Sequence, residues 1–327
     1  MNAHIDVLPE VTRALAAGRP VVALESAVLS HGVPVDAAGG LAARLDKAVR
    51  AHGATPALVA MRNGRIEVGA SHTDIAHLLD RSALKVAERD LAVAVAQGRS
   101  GGTTVAATLA VAVRAGIAVM STGGIGGVHL DAPEDVSADL YALSRHSVVV
   151  VCAGAKIICD QERTIEALDT LGVTAIGYQT DTYPAFIVRS SGIPMTHRAE
   201  TAAQVAAIAR ARLALGAAGA LLVVQPPPAE VALERETVDA ALAEALQRAR
   251  TAQIRGPALT PFLLTALADA TGGRSLVANL RLLESNAALA AEIATALAAD
   301  PRGGTRRGRP DLSARRERRT AKGSGRP

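Results

Sequence analysis

Lys156 stands directly after an apolar run, Val148 to Ala155, with a helical pattern beginning a few residues behind it. Desolvation and a helix N-terminus both disfavour an ammonium ion, and an uncharged amine is a nucleophile. The plainer alternative is a loop lysine whose stem snorkels to solvent. Glu25 follows another apolar run, Val21 to Leu24, and could be a general acid with a raised pKa or a scaffold partner for an arginine. Lys85 sits in Ala83–Ala87, just before Arg89 and Asp90. The glycine run 123–127, between Thr122 and His129, could bring backbone N–H groups close to an anion. It matches neither the dinucleotide fingerprint nor the P-loop. Asp135-Val136-Ser137-Ala138-Asp139 reads as the opening of a helix, where carboxylates are favoured by the dipole and capping is the simplest role. It is a lone acidic cluster without a histidine pair at metal spacing. Any metal there would be a hard ion held by one carboxylate, waters and substrate oxygens.

These residues need a frame that gathers strand ends. Val21–Leu24, Ala118–Met120, Val148–Val151, Ala175–Gly177 and Leu221–Val224 read as buried strands, separated by Ala- and Leu-rich helical patterns. Helices are expected near 36–51, 103–115, 135–145, 160–170, 201–215, 230–250 and 275–299, with Thr103 and Ser275 as N-caps. Leu58–Met61 and Arg65–Val68, joined by Asn63-Gly64, read as a hairpin. The expected fold is a three-layer α/β/α single domain around a mixed, mostly parallel sheet. In such sheets ligands bind beyond the carboxyl ends of the strands, where Glu25, Ser121, Thr122 and Lys156 fall.

Composition narrows the function classes. Of 327 residues, 49% are apolar, enough for a sizeable core, and only 2% are aromatic, too few for base-stacking platforms along a nucleic acid. Residues 301–327 hold ten Lys or Arg against Asp311 and Glu317, a surplus of eight positive charges. The total is +4, so residues 1–300 carry a net −4 and the basic character belongs to the tail. That tail is too polar to offset its ordering entropy and is expected to be disordered. A basic arm can bind nucleic acid, but a solvated extension is the simpler reading, and nucleic acid is not the expected partner. Met1 to Glu10 does not read as a signal peptide, and no apolar run is long enough to span a bilayer. Cys152 and Cys159 read as small core residues. A cytoplasmic enzyme of one catalytic domain, residues 1–300, is expected.

Taken in order, the segments resemble the pseudouridine-5′-phosphate glycosidase family, also called indigoidine synthase A-like. The matching stretches are Val22 to Ser26 with Ser30-His31-Gly32, Lys85-Val86 with Arg89 to Leu91, Thr103 to Thr108, and Ser121 to His129. Ser137 to Leu140, Val151 to Lys156, Gly177 to Thr180, Thr260 to Leu264, and Ser275-Leu276 with Asn279 complete them, across residues 8 to 299. The resemblance implies reversible cleavage of pseudouridine 5′-phosphate to uracil and ribose 5-phosphate, a divalent metal such as Mn2+, and a homotrimer. Carried over by position, it implies Lys156 as nucleophile, Glu25 as proton donor and Asp135 as metal ligand. It implies Lys85, Val105, Ser137, Ala138 and Asp139 as substrate contacts, with Thr122, His129 and Asn279 as further candidates. A C-glycoside has no heteroatom to protonate at the scissile bond, unlike an ordinary glycoside. Ring opening followed by lysine capture of C1′ as an imine would make that bond breakable.

The chain departs from the family pattern at Ala27, at Ile157, in a shorter stretch between His129 and Asp135, and at Gln225-Pro226-Pro227-Pro228. None of these removes a catalytic group. Two other readings stay open on sequence: a Schiff-base lyase or aldolase acting on another sugar phosphate, and a non-catalytic accessory protein using the basic tail. A kinase reading lacks a phosphate loop.

Overall fold

The computed structural model describes residues 4–80, 82–130, 132–254 and 259–299. The expected disordered tail, 301–327, lies outside the described residues.

Eleven described strands form one sheet. Its main path runs Ile5–Val7, Arg65–Val68, Thr55–Arg62, Val21–Leu24, Val119–Ser121, Val149–Cys152, Leu221–Val224, Thr174–Tyr178, Arg198–Ala199. Gly101–Thr103 pairs with Thr55–Arg62 off this path and carries Leu84–Val86 on its other side. Within this sheet, antiparallel pairing is confined to Thr55–Arg62 against Arg65–Val68 and Gly101–Thr103; its other pairs are parallel. The mixed, mostly parallel sheet is therefore as expected. The hairpin turns through Asn63 (φ +48°) and Gly64 (φ +75°), both left-handed as a two-residue primed turn requires. A side chain at Gly64 would also place its Cβ 2.7 Å from the Val95 carbonyl oxygen.

The central strands are apolar at every position because helices cover both faces. Helices Val35–Ala51, Ala202–Ala214 and Arg274–Ala298 pack together on one face, and Val105–Ala115 packs with Ala138–Arg145 on the other. Val105 to Ala112 are all buried, so this helix is apolar all round rather than amphipathic.

Three helix starts differ from expectation. Thr103 ends a strand and its hydroxyl donates to Val59 O at 2.7 Å, so the cap passes to Thr104, whose Oγ1 accepts from Ala107 N. Ser275 lies inside a helix whose N-cap is Gly273, and its N–H is taken by Thr271 Oγ1 at 3.1 Å. Asp135 does not open a helix. Residues Ala132–Val136 form a strand against Val128–His129, and the helix begins at Ala138 behind the Ser137 cap. Pairing across that small hairpin holds the backbone of residue 135 extended. The sequence patterns also pass over helices Pro9–Ala16 and Leu259–Ala270.

Candidate active site

Strands Val21–Leu24, Val119–Ser121 and Val149–Cys152 are neighbours in the sheet, and their carboxyl ends open on one cavity of about 410 Å3. The chain after the second strand runs beside the chain after the third. Ala153 N donates to Gly123 O (2.8 Å), Ile125 N to Gly154 O (3.1 Å), and Lys156 N to Ile125 O (2.9 Å). Lys156 thus sits on backbone held by sheet-like pairing, four residues short of the Asp160 cap that starts the next helix. Asn286 clamps the same turn from behind, donating to Thr122 O (2.9 Å) and Gly123 O (3.3 Å).

Glu25 lines this cavity and is only 6% exposed. Its Oε1 accepts a short hydrogen bond from the Thr122 hydroxyl. Burial raises its pKa above the ordinary glutamate value; Lys156 and the Thr122 bond oppose this, Asp139 adds to it and Lys85 opposes it. The net direction is upward, which suits a proton donor. Lys85 lines the same cavity. It is exposed by area because the cavity is open to solvent, yet the protein packed around it desolvates its ammonium and lowers its pKa. The charge of Lys156 pushes the same way, while Asp139 and Glu25 oppose.

Asp139 has both oxygens engaged by the backbone. Oδ1 accepts from Ala106 N at 3.0 Å and Oδ2 from Gly126 N at 2.9 Å, tying the start of helix Val105–Ala115 to the glycine run. Its carboxylate is 5% exposed and serves as a clasp as well as cavity wall. Gly126 has no room for a side chain, since its Cβ would fall 2.2 Å from Ser137 Oγ. The glycine run is therefore less an open anion cradle than a closely packed strip. The amides of Ile125, Gly126 and Val128 donate to Gly154 O, Asp139 Oδ2 and Thr164 Oγ1. Asp139→Ala would leave the buried Ala106 amide and the part-buried Gly126 amide without their acceptor. It is expected to cost about 2–6 kcal/mol of stability at ~1–3 kcal/mol per group, read as a lowered urea midpoint. An unchanged midpoint would show that the clasp contributes nothing.

Of the other expected residues, His129, Asp135, Ser137, Ala138 and Asn279 line the cavity. His129 Nδ1 lies 2.9 Å from Asp135 Oδ2 across the small hairpin, without the alignment of a hydrogen bond. Asn279 is 8% exposed and its amide has no hydrogen-bond partner among the described residues. Thr122 stands one layer behind, against Glu25. The Val105 side chain is in the hydrophobic core and Val105 does not line the cavity, whereas its neighbour Thr104 does. Cys152 and Cys159 are buried, as expected for core residues, and burial pushes their thiols up to about 12 and about 11.

The site also contains residues that the sequence reading did not assign. Thr104 and Phe186 line the cavity, and Phe186 does so from a left-handed backbone (φ +62°) pinned by its N–H to Ala153 O. His31 reaches the cavity from a π-helical turn, Val28–Gly32. Its position in the motif Ser30-His31-Gly32, six residues after Glu25, was the available signal.

Fold and cavity together define an α/β enzyme with an amine and a buried carboxylic acid facing one chamber at the strand ends. Residues 10–296 match the family model described as indigoidine synthase A like protein, and the chain belongs to that family. It is 50% identical over 288 residues to a pseudouridine-5′-phosphate glycosidase of Gemmatimonas aurantiaca, covering 88% of this chain and 94% of that one. It is 47% identical over 292 residues to one of Herpetosiphon aurantiacus, covering 88% and 96%. Among solved structures, the prealnumycin C-glycosynthase AlnA in complex with ribulose 5-phosphate superposes with TM-score 0.84 at 37% identity, over 91% of this chain and 98% of that one. An indigoidine synthase A-like protein of Thermotoga maritima superposes with TM-score 0.82 at 35% identity, over 90% and 96%.

Proposed function

We propose that this enzyme reversibly splits the C-glycosidic bond of pseudouridine 5′-phosphate, giving uracil and ribose 5-phosphate. The observation that carries this reading is the shared cavity of Glu25 and Lys156, with a raised carboxyl pKa on the former. Its relatives' names point to the same substrate, and the ribulose 5-phosphate bound by AlnA is a sugar phosphate of the same size class.

The roles follow from position. Glu25, held by Thr122, protonates the ribose ring oxygen as the ring opens. Lys156 adds to C1′, and its nitrogen lone pair then forms an iminium as the C1′–C5 bond breaks, so uracil departs as a carbon leaving group that takes up a proton. Water releases ribose 5-phosphate from the lysine. Lys85 and His129 hold the phosphate, with the Val105 N–H at the start of helix Val105–Ala115 as a backbone contact. Ser137 and Ala138 form the wall that Asp139 clasps, and Asn279 offers its NH2 donors and its carbonyl acceptor to the ligand. Phosphate binding then positions the sugar for the chemistry at C1′.

We place a divalent cation, Mn2+ by family resemblance, at Asp135. Among the described residues no group of three or more His, Cys, Asp or Glu could hold a metal. The fit is therefore to a loosely held hard ion, with Asp135, waters and substrate oxygens as ligands and His129 close by. Such an ion would supply charge neutralisation beside the phosphate. Asp135→Ala is expected to weaken Mn2+ binding at least about tenfold, following the loss of its carboxylate ligand, measured from the free-ion signal by electron paramagnetic resonance. Unchanged binding would place the ion elsewhere.

We assign catalysis to residues 1–300 in a cytoplasmic homotrimer. Among the described helices none is long and apolar enough to cross a membrane. Val93, Val113 and Tyr141 stay exposed on helices Leu91–Ala96, Val105–Ala115 and Ala138–Arg145, apolar surface of the kind that association covers. Removing residues 301–327 is expected to leave turnover and a particle of three chains unchanged, checked by steady-state kinetics and light scattering. A drop in either would give the tail a part in catalysis or assembly.

The direct test incubates the protein with ribose 5-phosphate, uracil and Mn2+, adds borohydride, and maps the modified lysine by peptide mass spectrometry. A pentosyl-phosphate adduct on Lys156, with pseudouridine 5′-phosphate in the unreduced control, supports both reaction and nucleophile. An adduct without the nucleotide product would favour a Schiff-base lyase acting on another sugar phosphate. Neither adduct nor product would overturn the catalytic reading.

A further inference from the structure

Glu25 can supply the proton that the ribose oxygen needs on ring opening, but the roles above leave a second proton unaccounted for. When the C1′–O4′ bond breaks, electrons are drawn from the uracil ring, and its N1–H becomes acidic. A base facing that N–H would lower the barrier to this step.

We propose that His31 is this base, taking the N1 proton of the uracil ring on its Nε2 while Ser30 fixes its tautomer. The inference rests on the pseudouridine 5′-phosphate reading above. His31 lines the same cavity as Glu25 and Lys156 and is half-buried there. Its Nδ1 is 2.7 Å from Ser30 Oγ, and its Nε2 has no hydrogen-bond partner among the described residues. Ser30 Oγ in turn lies 3.4 Å from both Ser26 O and Ala27 O, the carbonyls four and three residues behind it. A helical serine habitually bonds back to such carbonyls, and carbonyls can only accept. The serine proton goes to them, the serine lone pair accepts Nδ1–H, and Nε2 is left with a free lone pair on the cavity side.

The surroundings favour a neutral ring. Burial lowers the His31 pKa below the ordinary histidine value, and the charge of Lys85 lowers it further. The turn that carries His31 is also tightly placed. Gly102 lies against it so closely that a Cβ there would meet Ser30 Oγ at 2.4 Å, which holds the serine, and with it the imidazole, in place.

The step balances without any further reactant. The N1 proton moves to His31 Nε2, and the N1 electron pair forms N1=C6. The C5=C6 pair becomes C5=C1′, and the C1′–O4′ pair goes to O4′, which takes the proton of Glu25. His31 ends as imidazolium and Glu25 as carboxylate. When the Lys156 amine adds to C1′, the electrons return and His31 gives its proton back to N1.

The test compares pseudouridine 5′-phosphate with its N1-methyl analogue, which has no N1–H, in the wild-type enzyme and in His31→Gln. Borohydride trapping of ribose 5-phosphate on Lys156 needs no uracil, so it reports in each protein whether the amine site is assembled. The expected results are a loss of about 10²–10⁴-fold in kcat from His31→Gln with normal trapping, and a similar loss from the methyl group in the wild type. The two losses should not multiply in the variant given the methylated substrate, because both remove the same proton transfer. Cleavage of the methylated substrate at the ordinary rate by wild-type enzyme would overturn the proposal even if the variant failed to fold. So would a methyl effect that persists undiminished in His31→Gln, since that would be steric. Trapping on Lys156 without any cleavage of pseudouridine 5′-phosphate by wild type would instead bring down the substrate reading, and this role of His31 with it.

Discussion

Lys156→Ala is expected to lose turnover by on the order of 10⁴–10⁶-fold, the range seen when a nucleophile is removed from an otherwise intact site. Its backbone N–H is held by Ile125 O and its carbonyl by Cys159 N, so the main-chain geometry does not depend on the side chain. Ribose 5-phosphate should therefore still bind, within a few-fold of wild type by calorimetry, while borohydride trapping disappears. The substitution also takes a positive charge away from both Lys85 and Glu25. The lowering of the Lys85 pKa should shrink, and the raised Glu25 pKa should rise further. Turnover near the wild-type rate in this variant would remove the imine mechanism altogether.

Glu25→Gln should separate stability from activity. Gln keeps the volume and an acceptor for the Thr122 hydroxyl but cannot release a proton, so kcat should fall by about 10²–10⁴-fold. Glu25 has a higher pKa folded than unfolded because burial disfavours its carboxylate. The folded chain thus holds a proton that the unfolded chain gives up. The stability this contributes is full below the ordinary glutamate pKa and is lost as pH rises through the raised one. Above that pH the wild type keeps a buried carboxylate that Gln lacks. The variant should melt higher at alkaline pH, by roughly 2–4 °C per ~1 kcal/mol relieved, with the difference vanishing in acid. Wild-type kcat should fall over the same alkaline limb as the donor deprotonates, and that limb should be missing from the residual activity of the variant. An active Glu25→Gln enzyme would mean that the proton comes from elsewhere.

Much of the frame was legible because its strands are buried on both faces. Val21–Leu24 and Leu221–Val224 read as unbroken apolar runs, and the structure has strands over the same residues. Helix starts were less legible, since a threonine or aspartate that could cap a helix can equally serve a sheet. Thr103 was claimed by Val59 O and Asp135 by the hairpin strand opposite Val128–His129, and in each case strand pairing outweighed helix-capping preference. Asp139 illustrates the same limit at the site. Its carboxylate was visible, but the two amides that occupy it belong to Ala106 and Gly126, which no local pattern connects to it.

The sequence by itself singled out the residues to which the chemistry is assigned here, because apolar strands must end somewhere and the polar groups at those ends are few. Parallel pairing sends successive carboxyl ends to the same edge, so Glu25 and Lys156 could be expected together although 131 positions separate them. Only the tertiary structure decided the electrical state of Glu25 and which groups surround the pair. The pKa of Glu25 depends on how completely the chain closes over it, and that of Lys85 on the burial and charges around it. The hydrogen-bond chain behind His31 depends on a π-helical turn that brings Ser30 within reach of two carbonyls. Desolvation and hydrogen-bond geometry are properties of packed surroundings, and those exist only once distant segments have come together.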